Sequence, residues 1–224
     1  TNIDWDKMHK IGVRFAYIKF SQGIFYRDDC AVINTKAAQA HKILVGAYHF
    51  VTNDDALQQY NNFTNNMIGL RFDLPPALDC EKYDANSITT EAIVDVMGMK
   101  LTDWMKNFYS IASYLYPVIY TNAGSGNVIF KSPKMSRYSL WIANWNVSKP
   151  TIPTVWKNEK LFIWQDNVVG GIPYGLKSGM IDHDIWMDKY PFPGEIVVPP
   201  ITNEIEVSMT VQGKKYSGKL QEVV

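Results

Sequence analysis

The stretch that decides the fold is Ile43-Leu44-Val45-Gly46-Ala47-Tyr48-His49-Phe50-Val51, an almost unbroken apolar run. A run of this length, rich in branched and aromatic residues, is typical of a parallel strand that is buried on both faces. Amphipathic helix patterns lie on either side of it, at Asp28 to Lys42 and at Asp54 to Met67. We therefore predict a strand between two crossover helices, which is the repeating unit of a parallel α/β fold.

Further runs of the same character extend this pattern along the chain. They are Val13 to Phe20, Pro76 to Asp79, Pro117 to Thr121, Leu140 to Ala143 and Leu161 to Gln165. A third helix pattern covers Thr89 to Tyr109, whereas loops rich in Pro, Gly, Asn and Ser separate the later runs. This alternation predicts a closed, TIM-like α/β barrel with an irregular last third. The side chains that follow each strand should then form the active site.

Composition and charge narrow the class of protein. The chain has 224 residues, of which 46% are hydrophobic, enough for one sizeable core. Its 22 basic residues balance 22 acidic ones without a basic stripe, so we expect no nucleic-acid partner. No apolar run reaches about 18 residues and no leader pattern is present, so we expect neither a membrane span nor a signal peptide. Cys30 and Cys80 fit neither a disulfide scaffold nor a zinc site, and we expect buried thiols.

A change of composition near residue 190 divides the chain. The predicted barrel covers residues 1–190, and residues 191–203 form a Pro-rich linker. Residues 204–224 contain two alternating segments around Gly213, which predict a β-hairpin. We interpret this tail as part of a binding or oligomerisation module, so a homo-oligomer held through the hairpin is one expectation.

The stretch Pro75-Pro76-Ala77-Leu78-Asp79-Cys80-Glu81 ends an apolar run in two carboxylates. Side chains alternate along a strand, so Asp79 and Glu81 should share a face at the barrel mouth while Cys80 packs against a helix. Two neighbouring carboxylates in a cleft partly shielded from water repel each other, so ionising both costs free energy. One of them should therefore have a raised pKa and could act as a general acid. Glycoside cleavage uses such a pair. A metal site or solvated loop acids would also explain an isolated Asp-x-Glu.

A second acidic pair, Asp182 and Asp184, repeats this alternation near the end of the predicted barrel. We interpret it either as the opposite wall of the cleft or as a turn with solvated acids. His183 should face away from Asp182, which disfavours a metal cage in this segment. His49, at another strand end, is interpreted as a satisfied structural histidine in preference to a catalytic base.

Other strand ends combine aromatic rings with hydrogen-bonding groups. They are Tyr48-His49-Phe50, Tyr120-Thr121-Asn122, Trp141 with Asn144-Trp145, and Trp164-Gln165-Asp166. Sugars stack their C–H faces on rings while their hydroxyls need donors and acceptors, so these residues suit a carbohydrate groove; packed core aromatics are the alternative. The chain has no GxSxG elbow, P-loop, Rossmann glycine pattern or HExxH motif. We therefore expect no cofactor and no metal.

Taken in order, these segments resemble the glycoside hydrolase family 25 muramidases, lysozymes common among bacteriophage endolysins and bacterial autolysins. The resemblance covers most of residues 2 to 190. Its pieces are Ile3-Asp4-Trp5, Ile18-Lys19-Phe20-Ser21-Gln22-Gly23, Gly46-Ala47-Tyr48-His49-Phe50, Asp79-Cys80-Glu81, Ile119-Tyr120-Thr121-Asn122, Leu140-Trp141-Ile142-Ala143, Trp164-Gln165 and Ile181-Asp182. It implies a modified (β/α)5β3 barrel that cleaves the β-1,4 bond between N-acetylmuramic acid and N-acetylglucosamine in bacterial peptidoglycan.

The resemblance also implies roles for individual residues. Glu81 matches the family's acid, Asp79 matches the carboxylate that assists the reacting sugar, and Asp182 matches a further site acid. The resemblance implies glycan contacts for Tyr48, Tyr120, Trp141 and Gln165, and the aromatic strand ends add Trp145 to the expected contacts.

Two departures from the family pattern lead to a second hypothesis. Family members usually begin with an Asp-bearing strand before the segment that holds Asp4, and we expect that first strand to be absent from this chain. Gln22 stands where the family usually has Glu, which removes one negative charge near the site. The leading hypothesis is an endolysin-like muramidase that acts at the bacterial cell wall after holin-dependent release. The alternative is a non-catalytic glycan-binding barrel, because the first-strand acid is missing.

Overall fold

The structure is a computed structural model that describes residues 3–81, 87–108, 116–156, 160–187, 205–211 and 214–220. It divides into two units, residues 1–193 and residues 194–224, and each is described by itself. The predicted linker at residues 191–203 lies outside the described residues. In the second unit, β9 (Ile205–Val211) and β10 (Lys214–Leu220) pair antiparallel, at the positions of the two predicted alternating segments.

The first unit contains one curled sheet of eight strands. In chain order these are β1 (Phe15–Gln22), β2 (Tyr26–Arg27), β3 (Leu44–Phe50), β4 (Ala77–Asp79), β5 (Val118–Asn122), β6 (Ser139–Ala143), β7 (Leu161–Gly170) and β8 (Met180–Trp186). Their order in the sheet is β2-β1-β3-β4-β5-β6-β7-β8. All pairs from β1 to β7 are parallel, whereas β2 and β8 run antiparallel to their neighbours. The six predicted strands are confirmed; β2 and β8 lie outside the predicted apolar runs.

Five helices accompany the described strands of this unit: α1 (Trp5–Lys10), α2 (Ala31–Ala40), α3 (Ala56–Met67), α4 (Ser87–Phe108) and α5 (Ala123–Ile129). Side chains at the caps fix where some of them begin, since Asp4 accepts from the Lys7 amide and Asn122 from the Ser125 amide. The three predicted helices are confirmed within three residues. The sequence pattern missed α5, which is seven residues long and contains two glycines. None of the described helices has both the length and the apolar character that a membrane crossing requires.

Alternation along the strands sorts the side chains into two apolar clusters. The larger cluster lies between the sheet and the helices and includes Leu78, Cys80 and Ile119. The smaller one lies on the inner face of the curled sheet; it contains Ala77, Val118, Trp141, Phe162 and Ile163, with Phe15, Tyr17, Tyr48, Tyr120 and Trp186 packed against it. Cys80 is a buried thiol, as expected, whereas Cys30 is only half-buried. The inner face therefore carries Tyr48, Tyr120 and Trp141 of the strand-end rings, whereas Trp164 packs against the larger cluster.

The curled sheet forms a half-barrel in the described part of the chain. In the order of the strands, β8 lies at one end and β1 with the short β2 at the other, and no strand pairing among the described residues joins these ends. Side chains do approach across the gap, because the ring centroids of Phe15 on β1 and Trp186 on β8 lie 5.5 Å apart. The predicted α/β class is thus confirmed as a strongly curved sheet, whereas its predicted closure into a barrel stays a prediction.

Candidate active site

The two carboxyls of the Asp-x-Glu motif lie where β4 ends. Asp79 is its last residue, and its backbone pairs with Phe50 and Tyr120 on the strands at either side. Cys80 is fully buried in the cluster between sheet and helices, and its amide donates to the Tyr120 carbonyl at 2.9 Å. Because side chains alternate, Asp79 is turned to the inner face. Glu81 follows as an exposed residue.

Asp79 has an environment that favours its neutral form. Its Oδ1 atom is buried and has no hydrogen-bond partner among the described residues. Burial raises the pKa of Asp79 well above its usual value of 3.8, the charges of Glu81 and Asp182 raise it further, and Lys19 acts in the opposite direction. A raised pKa was expected in this pair, and one is found at Asp79.

The charges of four carboxyls affect the pKa of one tyrosine, Tyr120, at this edge of the sheet. Burial raises the pKa of Tyr120, and the negative charges of Asp79, Glu81, Asp182 and Asp184 all raise it further. Such effects weaken as charges move apart, so the fold brings these four carboxyls near enough to Tyr120 for their charges to act on its hydroxyl. The acids that were separated along the sequence are therefore brought to a single place by the fold.

Asp182 and Asp184 belong to a strand, so the solvated-turn interpretation was wrong. On β8, Asp182 pairs with Val168 and Asp184 with Gln165, both on β7. Asp182 is exposed overall, although partial burial of its carboxyl raises its pKa. His183, between them, bonds instead to Asp166 through Nδ1 at 2.6 Å. The sequence could not distinguish strand from turn here because the segment lacks a long apolar run.

The predicted glycan-contacting residues differ widely in exposure. Trp145 is 50% exposed and Tyr48 is half-buried, with a pKa that burial and then the charge of Asp79 raise. Trp141 is only 5% exposed, and Gln165 is buried and accepts a 2.6 Å hydrogen bond from the Tyr120 hydroxyl. Tyr48 and Trp145 thus present surface to solvent, whereas Trp141 and Gln165 line the interior beneath them.

Lys19 is a functional candidate that the sequence analysis did not single out. It is half-buried on β1, and its Nζ donates to the Gln22 side-chain oxygen at 2.8 Å. The same ammonium lies 5.0 Å from the centre of the Phe50 ring and 5.3 Å from that of Tyr26. Its charge stabilises ionised Asp79. A lone lysine inside an apolar strand run was the signal that could have identified it.

His49 has the structural role that was predicted for it. The side chain is fully buried, with Nδ1 2.8 Å from the Ser21 hydroxyl and Nε2 3.2 Å from the Gln59 side-chain oxygen. Gln59 uses its own amide to donate to the carbonyls of Thr52 and Asp54, so its oxygen is the acceptor for His49. Burial lowers the pKa of His49 to about 4, which keeps the ring neutral.

The chemistry available at this edge of the sheet is proton transfer and charge stabilisation by carboxyls. Within the described ranges, no group of three His, Cys, Asp or Glu side chains is arranged to hold a metal ion. The half-buried Asp79 and the exposed Glu81 lie near Lys19 and several aromatic rings. Such a set can protonate a leaving oxygen and stabilise positive charge on a sugar.

Comparison with known proteins shows which families and chains this protein is similar to. The model for Glycosyl hydrolases family 25 matches residues 1–171. Lysozyme M1 of Streptomyces globisporus is 28% identical over 193 residues, which cover 82% of this chain and 63% of that protein. The chain spans less than two thirds of the length of the curated relatives it matches.

Two solved structures have the same fold at similar levels of identity. The bacterial lysozyme from Streptomyces coelicolor is 27% identical with a TM-score of 0.68, and the match covers 82% of this chain and 86% of that one. The CTP1L endolysin is 26% identical with a TM-score of 0.62, covering 84% of this chain and 63% of that one.

Proposed function

Since the chain belongs to glycosyl hydrolases family 25, whose model matches residues 1–171, we propose that it is a muramidase. It would hydrolyse the β-1,4 bond between N-acetylmuramic acid and N-acetylglucosamine in bacterial peptidoglycan. The observation that carries this proposal is the end of β4, where Asp79 is the last residue and Glu81 follows it, both near enough to Tyr120 for their charges to raise its pKa. The names of the relatives, lysozyme and endolysin, support the same substrate class.

In the proposed reaction the two acids of β4 have different duties. Glu81, which is exposed and accessible, donates a proton to the glycosidic oxygen. Asp79 assists the reacting sugar from its inward position, where burial favours its neutral, hydrogen-bonding form and the charge of Lys19 acts against this. Asp182 completes the acidic wall from the last strand of the sheet.

The glycan would lie along the strand ends, where rings and amide groups are available together. Tyr48 and Trp145 offer partly exposed ring surface for stacking. Tyr120, Trp141 and Gln165 would form the base of the same groove, since their side chains are already packed or hydrogen-bonded to one another. No cofactor or metal is part of the proposal.

Several finer features belong to the same proposal. The half-barrel would correspond to the (β/α)5β3 barrel of the family, and the catalytic domain to residues 1–190. The strands of residues 204–224 would serve a wall-binding or oligomerisation module. The similarity to the CTP1L endolysin supports an endolysin role at the bacterial cell wall. Holin-dependent release and a phage origin are proposed on that likeness.

The test replaces Glu81 by Gln, which keeps the side chain's size and removes its proton. Release of reducing ends from purified cell walls should fall by at least about 100-fold, the usual contribution of a general acid. Asp103→Asn is the matched control, because this carboxyl is 72% exposed on α4 and pairs only with Lys106 in the ion pairs described. Circular dichroism melting should be unchanged in both variants. Normal lysis by Glu81→Gln would show that the proton donor is misassigned.

A further inference from the structure

A second acid on β8 makes a contact that the proposed reaction does not use. The indole N–H of Trp141, on β6, donates to Oδ1 of Asp184 at 2.7 Å. The bond passes over β7 on the inner face, because β6 and β8 both pair with β7. Trp141 is 5% exposed and Asp184 is half-buried, so the contact is largely shielded from solvent. A charge-assisted bond in such surroundings is among the stronger hydrogen bonds in proteins.

The ring that this bond holds is the centre of an aromatic cluster. Trp141 packs against Tyr17 with ring centroids 4.8 Å apart and against Tyr120 with centroids 4.9 Å apart. Tyr120 in turn donates to Gln165. We call Tyr17, Tyr120 and Trp141 the aromatic floor. An indole has one polar atom, so the bond to Asp184 fixes how the Trp141 ring is rotated within the aromatic floor.

We propose that Asp184 is a positioning residue of this site: by holding the Trp141 indole, it sets the aromatic floor on which the glycan is placed beside Asp79 and Asp182. This inference rests on the proposed function, and it adds to the acids of β4 a carboxyl that acts through a ring. It is favoured by the 2.7 Å bond itself, which joins a carboxyl of β8 directly to the central ring of the aromatic floor.

The same geometry makes the aromatic floor sensitive to pH. Burial raises the pKa of Asp184 to about 7, and the negative charges of Asp182 and Asp166 contribute to this rise. The hydrogen bond from Trp141 and the charge of His183 act in the opposite direction. The charged neighbours of Asp184 thus lie on β7 and β8. The side chains that face it from β5 and β6 are the rings of Tyr120 and Trp141. Because an ionised carboxylate accepts a stronger hydrogen bond than a neutral carboxyl, Trp141 is held more firmly above neutral pH than below it.

The first test observes the indole directly and does not depend on activity. In two-dimensional spectra of the ¹⁵N-labelled protein, the Trp141 indole signal is identified as the one lost in Trp141→Phe. It should move with pH around a midpoint of about 7. In Asp184→Asn, which keeps a carbonyl acceptor but cannot ionise, the signal should remain and stop moving. His183→Gln is the matched control and should retain the titration. A titration that persists in Asp184→Asn, or is absent from the wild type, would overturn the inference.

The second test asks whether holding the ring affects the glycan. Asp184→Ala should raise KM for soluble wall glycan about five- to tenfold with kcat within about twofold, as expected for loss of one hydrogen bond that positions a binding surface. Asp184→Asn should restore most of the affinity and flatten the dependence of KM on pH between 6 and 8. An unchanged KM in Asp184→Ala, with an active wild type, would overturn this inference alone. An inactive wild type would overturn the proposed function, and the indole titration would still decide whether Asp184 holds Trp141.

Discussion

Replacement of Asp79 by Asn should stabilise the fold at alkaline pH, although it removes a residue of the proposed site. The wild-type carboxyl has a buried oxygen without a partner among the described residues, and burial raises its pKa well above 3.8. At alkaline pH the native protein must either hold a charge in a place that disfavours it or keep this carboxyl protonated against the solvent, and both cost free energy. Asn has nearly the same shape and carries no charge, so this cost disappears.

The sign of the pH dependence follows from proton binding. Between the unfolded pKa near 3.8 and the higher folded value, the native state binds more protons at Asp79 than the unfolded state does. The free energy of unfolding of the wild type therefore decreases as pH rises through this window. The variant lacks this decrease, so its advantage should be small at pH 4 and largest at pH 8.

The expected gain at pH 8 is roughly 1–3 kcal/mol, because Asn still needs hydrogen-bond partners but removes the ionisable group, and each raised pKa unit corresponds to about 1.4 kcal/mol. Attraction between ionised Asp79 and Lys19 is lost in the variant and keeps the gain toward the lower end. For a domain of this size each kcal/mol corresponds to about 2–4 °C in Tm.

Equilibrium urea unfolding at pH 4, 6 and 8, followed by tryptophan fluorescence, measures this gain. Asp103→Asn serves as the exposed control and should show no comparable dependence on pH. Two outcomes would refute the reasoning: Asp79→Asn no more stable than the wild type at pH 8, or a gain of equal size at every pH. The second outcome would mean that the ionised form of Asp79 is not the cause.

Three other changes test separate parts of the structure. Gly46→Ala places a Cβ 2.3 Å from the Tyr17 ring, so the free energy of unfolding should fall by about 1–3 kcal/mol, measured in urea. The pKa of His49 is about 4 in the folded protein and 6.5 in an unperturbed histidine, so the free energy of unfolding of the wild type should rise with pH between these values. His49→Gln should flatten that rise, measured by thermal unfolding at pH 4.5 and 6.5. Trp145→Ala removes a ring that is 50% exposed; KM for wall glycan should rise severalfold while stability changes by less than about 0.5 kcal/mol. An unchanged KM would place Trp145 outside the glycan groove.

Much of the fold followed from local pattern. Each apolar run became a strand of the sheet, since a segment buried on both faces must be apolar throughout and such runs are visible in the sequence. The position of Asp79 on the inner face, opposite to Cys80, followed from the two-residue repeat of a strand. The resemblance to the family added the expected roles of Glu81 and Asp182, which stay predictions until the variants are measured.

Tertiary structure decided what depends on neighbours from distant parts of the chain. The sequence placed two acids at the end of β4, but only the packing of β4 between its neighbours determined that the pKa of Asp79 is raised. The role of Asp184 as partner of Trp141 was likewise invisible, because 43 positions separate the two residues and they meet only when the sheet curls. Strand periodicity is a property of adjacent residues and can be read from the sequence. Burial, charge proximity and hydrogen bonding across the sheet arise only when the strands are brought together.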